Sequence, residues 1–529
     1  MFLLPALWDV LSERARPYGY LAADAFYYFT VAANWVDFGT PSFDQIHPTN
    51  GFHPLWQWLV TLADAALDAL GFSRWALVPT AVVICLLMTS GTIVLLGLAL
   101  LNERRISPVF ALLPVGAWPL AISLPWWRSR GELPAYRQMP LFGTLWNYSN
   151  GLESALVLLL FAWVAWFYVR RPVDSRRRAV AFGVLLAALS LARLDHAIFA
   201  LAIAGLPFVQ HLIRRDGWRA RLQAWTLLTW LFVLALYCAS NFIVVGRVLP
   251  ISGSEKSTFP HAHLGSLETL LSVPTLKPLG LMYTLGRFGS IAFPALAALL
   301  YFPYALELRG SWRRRFPVLR RGHGRFSQLM LLSAVAIVAL AAYDLLFVLE
   351  WHIGEWYTPV SVLFVSLLVV QLGETAAQKW PPLTRATFGW GLFLALGAVG
   401  LASFFELQRV LPWGRENANF CLRQAPRVIE YYAGAPPRLI SRDDGMIAFC
   451  TGFPTTSGTR LALDAEAADA STAGGFEELL AKRGVDRLSA LYYARATGFR
   501  VGERSQRVQA FAEGVLMAPP ARTYEVEYV

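Results

Sequence analysis

Several enzyme signatures are missing from this sequence. It holds no Walker phosphate loop, no G-x-S-x-G nucleophile elbow, no H-E-x-x-H zinc motif and no C-x-x-C pair. A soluble nucleotide-binding enzyme, an α/β-hydrolase, a zinc peptidase and a thiol redox protein are thereby left without their usual chemistry. Charge is scarce, at 15% of 529 residues. Neither an internal repeat nor a low-complexity tract occurs, which argues against a solenoid or a disordered chain. Cysteine is limited to four positions. Cys85 and Cys238 fall inside apolar stretches and read as packing residues. Cys421 and Cys450 fall in a polar terminal segment and form a candidate disulfide if that segment lies outside the cytoplasm. Whether their Cα atoms come within bridging distance, about 4.4 to 6.8 Å, is left open at this level.

What is present is apolar chain. Hydrophobic residues make up 56% and the mean hydropathy is +0.45, more than one soluble core of this length needs. The apolar residues cluster into runs close to the length that crosses about 30 Å of hydrocarbon as a helix. These are Ala76 to Leu101, Pro108 to Leu124, Gly151 to Val169, Ala179 to Arg193, Ala197 to Ile213, Ala224 to Gly246, Ile291 to Leu306, Gln328 to Leu349, Thr358 to Leu372 and Ala386 to Phe405. Each must be helical, because lipid offers no partner to an exposed N–H or C=O. The expected fold class is therefore mainly α, a polytopic bundle of about ten spans.

The formal net charge of +11 is a topology signal rather than a sign of nucleic-acid binding. The arginines sit in short connections: Arg104 and Arg105; Arg170, Arg171 and Arg176 to Arg178; Arg214, Arg215, Arg219 and Arg221; Arg309, Arg313 to Arg315, Arg320, Arg321 and Arg325. Placing these loops in the cytoplasm satisfies the positive-inside rule. The other connections then lie outside: 1–75, 125–150, the turn near 194–196, 247–285, 350–357 and everything after about 407. The expected location is the plasma (inner) membrane, crossed many times, with the C-terminal part extracytoplasmic. Pro54 to Leu70, with Asp64 and Asp68 at i, i+4, is expected to lie in the interface as an amphipathic helix, because a span there would put Arg104 and Arg105 outside. Met1 to Leu7 is too short to cross; either the helix after it carries the N-terminus out, or a first membrane helix lies upstream.

Two domains are expected, a membrane domain over 1–410, with its first external loop at 17–75, and a small soluble α/β domain over 411–529. In the second, Arg438 to Ser441 and Met446 to Cys450 read as strands. Phe476 to Arg483 and Arg487 to Arg495 read as helices or helix ends, and Arg522 to Val529 as a terminal strand.

The densest chemistry lies in Ala23 to Trp58. Asp24 precedes an apolar-aromatic helix, Ala25 to Trp35, and a Gly/Pro/Asn-rich loop leads to His53-Pro54-Leu55-Trp56. An acid beside aromatic rings at a membrane interface is partly desolvated and becomes a better proton acceptor. A helix N-cap is the other reading of Asp24.

D-A-F-Y-Y followed by P-T-N-G-F-H-P-L-W resembles the first external loop of bacterial membrane glycosyltransferases of the GT-C superfamily, which includes protein O-mannosyltransferases, the lipid A aminoarabinose transferase and mycobacterial arabinofuranosyltransferases. N-G-L-E-S at Asn150 to Ser154, L-A-R-L-D at Leu191 to Asp195, G-R-V-L-P-I-S-G-S-E-K at Gly246 to Lys256 and W-Y-T-P at Trp356 to Pro359 follow in order on the same expected side. D-D-G-M-I-A-F in the terminal segment is similar to a D-x-G-x-I-x-Y element. Two departures stand out: the membrane helix expected before the loop acid is missing or truncated, and Ala23 occupies the place of a second acid found in many members.

The resemblance implies an enzyme that takes a sugar from a polyprenyl phosphate and passes it to a glycan, lipid or protein hydroxyl on the external face, usually with inversion. Such a displacement needs one base, here Asp24, and cations for the departing phosphate. Lys256 is preferred as the cation, over Arg193, Arg247 and His352. Arg193 with Asp195 also fits an ion pair at a helix end, and Glu153 either a helix-dipole partner or a ligand for sugar hydroxyls. His53 and Trp56 would line the sugar site or belong to an interface belt of aromatic residues, and Trp356 is a further substrate-binding candidate. No cofactor is expected, although His352 and Glu355 at i, i+3 admit a divalent metal. A transporter or lipid flippase is the competing reading, with Asp344 as the acid inside a span that fits it.

Overall fold

The computed structural model describes residues 3–12, 16–101, 150–265 and 324–349, with most of 291–302, 359–368 and 418–489 and the strand at 525–527. The helices used below are α1 (Leu3–Ser12), α2 (Ala25–Phe38), α3 (Pro54–Ala69), α4 (Leu77–Leu101), α5 (Ser154–Arg170), α6 (Arg176–Ala192), α7 (Leu194–Ile213), α8 (Gly217–Val245), α9 (Ile251–Lys256), α10 (Gly324–Phe347), α11 (Ala425–Tyr431), α12 (Asp444–Thr451), α13 (Ala465–Ala473) and α14 (Phe476–Lys482). The strands are β1 (Leu439–Ser441), β2 (Thr455–Ser457), β3 (Arg487–Ser489) and β4 (Glu525–Glu527).

The protein is a multi-pass membrane protein. Among the described residues, four helices are long and apolar enough to cross a bilayer, Arg74–Ala99, α7, α8 and Arg325–Phe347, and α5 is a shorter apolar helix. They fall on runs expected to span. Pro108 to Leu124 and nearly all of Ala386 to Phe405 lie outside the described residues.

The chain forms two compact units, each assembled from three stretches. The first comprises Met1–Trp8, Val83–Ala235 and Ser257–Leu411. In it α5 and α6 form an antiparallel hairpin joined by residues 171–175, with α10 packed on α5 and α7. Ser175 starts α6 in extended conformation, its side chain accepting from the Arg178 amide, which satisfies one of the orphan donors of the first turn. Between α8 and α6, Trp230 Nε1 donates to Ser190 Oγ at 3.0 Å and Thr226 Oγ1 to the Ala179 carbonyl at 3.2 Å.

The second unit comprises Asp9–Val82, Leu236–Lys256 and Pro412–Val529. Here α2 packs on α3 and on α12. Gly39 ends α2 at φ +75°, donating its N–H to the Trp35 carbonyl, a left-handed cap that costs glycine little. Pro54 begins α3 at a position where its missing N–H is no loss. The α3 face carrying Trp56, Gln57, Val60 and Asp64 is buried whereas Leu62, Asp68 and Leu70 are exposed, the periodicity of an amphipathic helix.

The four strands form one parallel sheet in the order β2-β1-β3-β4. Helices α13 and α14 bury Ala467, Ala468, Leu479 and Leu480 in a cluster with Ile440 of β1. A disulfide joins Cys421 to Cys450, with Cα atoms 5.2 Å apart. Two elements differ from expectation. Met446 to Cys450 is helical, within α12, and is buried throughout; a short apolar run buried on every side carries no period to distinguish helix from strand. Arg487 to Ser489 is β3 rather than helix, because it pairs on both edges, with β1 and β4, and pairing overrides local propensity.

Candidate functional site

The sequence-derived candidates divide between the units. Glu153, Arg193 and Asp195 belong to the first; Asp24, His53, Trp56 and Lys256 belong to the second. His352, Glu355 and Trp356 lie outside the described residues.

In the first unit the α5–α6 hairpin brings residues forty positions apart to one end, since Glu153 stands just before α5 and Arg193 just after α6. Arg193 is 2% exposed and donates from Nη1 to Glu153 Oε1 at 2.7 Å. Its Nε donates to both Asp195 oxygens, at 2.9 and 3.1 Å. The ion-pair reading of Arg193 with Asp195 is thus realised, with Glu153 as a third member. Asp195 also accepts at 2.6 Å from His196 Nδ1, which directs the opposite ring nitrogen elsewhere. That Nε2 is buried and meets no partner among the described residues. Asp344 of α10 is 1% exposed, lies within electrostatic range of Asp195 and Arg193, and neither carboxyl oxygen has a hydrogen-bond partner among the described residues. Asn150 Nδ2 and Ser154 Oγ are likewise buried and without a hydrogen-bond partner among the described residues. One guanidinium faces three acids here, so this pole can engage polar ligand atoms or protons.

In the second unit Asp24 occupies the N-cap position of α2 in helical conformation (φ −62°, ψ −20°) and makes no side-chain cap hydrogen bond. It is half-buried. The loop after α2 is tied down at each polar position of P-T-N-G. Asn34 Nδ2 donates to the Ser42 and Phe43 carbonyls, and Thr49 Oγ1 donates to the Leu463 carbonyl at 2.6 Å. Asn50 Nδ2 donates to the Leu249 carbonyl while its Oδ1 accepts from the Ile251 amide. Asn50 thereby fixes the start of α9, the helix that ends in Lys256. Trp56 is wholly buried and His53 is the extended residue before α3. Arg247 is committed to Asp469 and the Ala465 carbonyl.

The glycine of D-D-G-M-I-A-F has a steric role. A Cβ on Gly445 would lie 2.7 Å from the Tyr27 amide nitrogen and 3.0 Å from the Phe26 carbonyl carbon. Thr30 of α2 donates to the Gly445 carbonyl at 3.0 Å. The helix that follows Asp24 is therefore clamped directly by α12.

Ligand atoms of Asp44, His47 and Asp464 converge to within 4.8 Å of one another. They fit a metal poorly. Arg483 donates to both Asp464 oxygens, at 2.7 and 3.0 Å, and to Glu466 at 2.7 Å, while the Ala467 amide donates to Asp464 Oδ1. Burial pushes the Asp464 carboxyl up, but hydrogen bonds and charge from Arg483 and the Ala467 amide hold it below the usual carboxylate range. A divalent ion would have to displace a guanidinium already in place. In α3, burial first and the charge of Asp37 second push Asp64 up to about 6.

Fold and sites together define a polytopic membrane protein with a buried acid–arginine–histidine cluster at a helix-hairpin end and a small parallel α/β layer. No protein-family profile and no curated protein sequence matches the chain. Among solved structures it is similar to ArnT from Cupriavidus metallidurans bound to undecaprenyl phosphate, at 14% identity over 86% of this chain and 85% of that one, with a TM-score of 0.45. It is also similar to the Archaeoglobus fulgidus oligosaccharyltransferase tethered to an acceptor peptide (12% identity, 88% and 64% covered, TM-score 0.40). The same organism's oligosaccharyltransferase AglB, in complex with an inhibitory peptide and a dolichol-phosphate, matches at 15% identity, with 88% and 65% covered and a TM-score of 0.35. The chain thus spans just under two thirds of either oligosaccharyltransferase.

Sequence reasoning passed over His196, Asn50 and Thr49. His196 follows L-A-R-L-D directly, and that adjacency to an acid was its one signal. Asn50 and Thr49 sit inside the loop motif, where a polar residue reads equally as a turn former.

Proposed function

We propose that the protein is a membrane glycosyltransferase that moves a sugar from a polyprenyl-phosphate donor to an acceptor hydroxyl on the extracytoplasmic face. The observation that carries this reading is Asp24: a half-buried carboxyl at the head of a clamped helix that does not cap it. In the proposed step the acceptor oxygen attacks the anomeric carbon and its proton passes to the Asp24 carboxylate. The bond from that carbon to the phosphate oxygen breaks on the opposite face, inverting the centre, and the lipid phosphate leaves with the electron pair. Lys256 is the cation assigned to that phosphate; it ends α9, the helix whose first residue, Ile251, donates its amide to Asn50 of the P-T-N-G loop. His53 and Trp56 would border the sugar, and Glu153, Arg193 and Asp195 would set the polar pole of the membrane unit. The external side follows from the arginine-rich loops lying in the cytoplasm.

The test is turnover of purified protein with labelled polyprenyl-phosphate sugars, comparing the parent with Asp24→Asn at equal folded yield. A loss of about 10²- to 10⁴-fold is expected for removal of a general base; unchanged turnover would remove Asp24 from the mechanism. Asp344 favours a second reading, a lipid flippase, because a buried acid in a membrane-length helix also marks transport paths. Movement of labelled lipid across vesicles with no sugar transfer would select it.

A further inference from the structure

The α5–α6 hairpin carries a second feature at the end opposite Glu153 and Arg193. A groove of about 530 Å³ runs between the two helices, with Trp163, Val184 and Ala188 along its apolar length and Arg171, Arg177 and Arg178 at its mouth. Trp163 is 47% and Val184 50% exposed, so the groove is open along its side. From the arginines to Ala188 the helices rise about 15 Å, the depth of one leaflet of a hydrocarbon core about 30 Å thick. Three cations meet one anion at the mouth: Arg178 donates from Nη1 to Asp174 Oδ2 at 2.6 Å, Arg171 lies over the Trp166 ring, and Arg177 is exposed and has no ion pair among the described residues. An occupant must therefore be apolar for one leaflet's depth and carry negative charge at the level where the bilayer ends.

We propose that this groove is a binding site for a two-chain phospholipid with an anionic headgroup, one acyl chain lying along Trp163, Val184 and Ala188 and the phosphate held by Arg171, Arg177 and Arg178. Basic pockets between membrane helices recognise anionic headgroups in this way. The site is separated from the Arg193 cluster by the length of the hairpin, so its occupant is a lipid of the surrounding membrane and not the reacting lipid.

The experiment is native mass spectrometry of the full-length protein released from nanodiscs containing equal phosphatidylglycerol and phosphatidylcholine, with undecaprenyl phosphate added in a second arm. The parent should retain phosphatidylglycerol selectively. Arg171→Gln/Arg177→Gln/Arg178→Gln should weaken retention by about fivefold for each of the three charges removed, about 100-fold in all. Val184→Trp, which fills the groove and keeps every arginine, should also abolish selective retention. Equal retention of the two phospholipids overturns the proposal. So does an unchanged triple variant, an unchanged Val184→Trp protein, or displacement of phosphatidylglycerol from the groove by undecaprenyl phosphate.

Discussion

Replacing Arg193 by alanine removes the cation that bridges Glu153 and Asp195 among the described residues of the first unit. Both acids would remain where they are, because Glu153 is 2% exposed and Asp195 stands in the turn immediately after Arg193. Stranding the partners of a buried ion pair costs about 3 to 5 kcal/mol. For a unit of this size each kcal/mol lowers the unfolding midpoint by about 2 °C, so a drop of about 6 to 10 °C is expected. Thermal unfolding of purified protein in one detergent, parent beside variant, gives the number. Glu153→Gln/Arg193→Ala removes a charge from each side and should recover part of the loss, with a coupling of at least about 1 kcal/mol in the double-mutant cycle closed by Glu153→Gln. A midpoint within 2 °C of the parent, or a double variant no better than the single one, would refute the description of Arg193 as the electrostatic centre of this pole.

Three further outcomes follow from the second unit. Asp64 titrates near 6 in the folded protein against 3.8 for the ordinary group. The folded state then binds more protons between those values, and stability falls as pH rises from about 4 through about 6. Asp64→Asn should lack that slope and be more stable at pH 7.5 by about 1 to 3 kcal/mol, the lower figure allowing for solvent screening; parallel curves would contradict it. Gly445→Ala pushes a methyl group against the backbone at Tyr27 and Phe26 and should cost about 1 to 3 kcal/mol, read by chemical unfolding, whereas a neutral result would show that α12 can move away from α2. The Cys421–Cys450 bridge closes a loop of separation 29, so reductant should lower the parent's stability by about 2 to 4 kcal/mol and leave Cys421→Ser/Cys450→Ser unmoved.

The membrane helices were legible because lipid forces their sequence to be apolar over an unbroken stretch, and α4, α7, α8 and α10 all fall on such runs. The amphipathic character of α3 was legible from its acids, but not that Asp64 is buried and Asp68 exposed, which depends on α2 lying against one face. In the Arg193 cluster the pairing with Asp195 is local and could be read. Glu153 and Asp344 join from other helices, a matter of packing that no spacing encodes. The terminal segment shows the same limit. Leu439 to Ser441 and Phe476 to Lys482 behave as their local pattern suggests, whereas α12 and β3 take their form from the elements beside them.

The central claim is that sugar arrives on a lipid phosphate. Its most direct measurement is transfer by the purified protein in nanodiscs supplied, in parallel, with a panel of polyprenyl-phosphate sugars and with the corresponding nucleotide sugars. Transfer from a lipid-linked donor alone, abolished by Asp24→Asn, is the predicted result. Transfer from a nucleotide sugar, or transfer that survives the substitution, would contradict it.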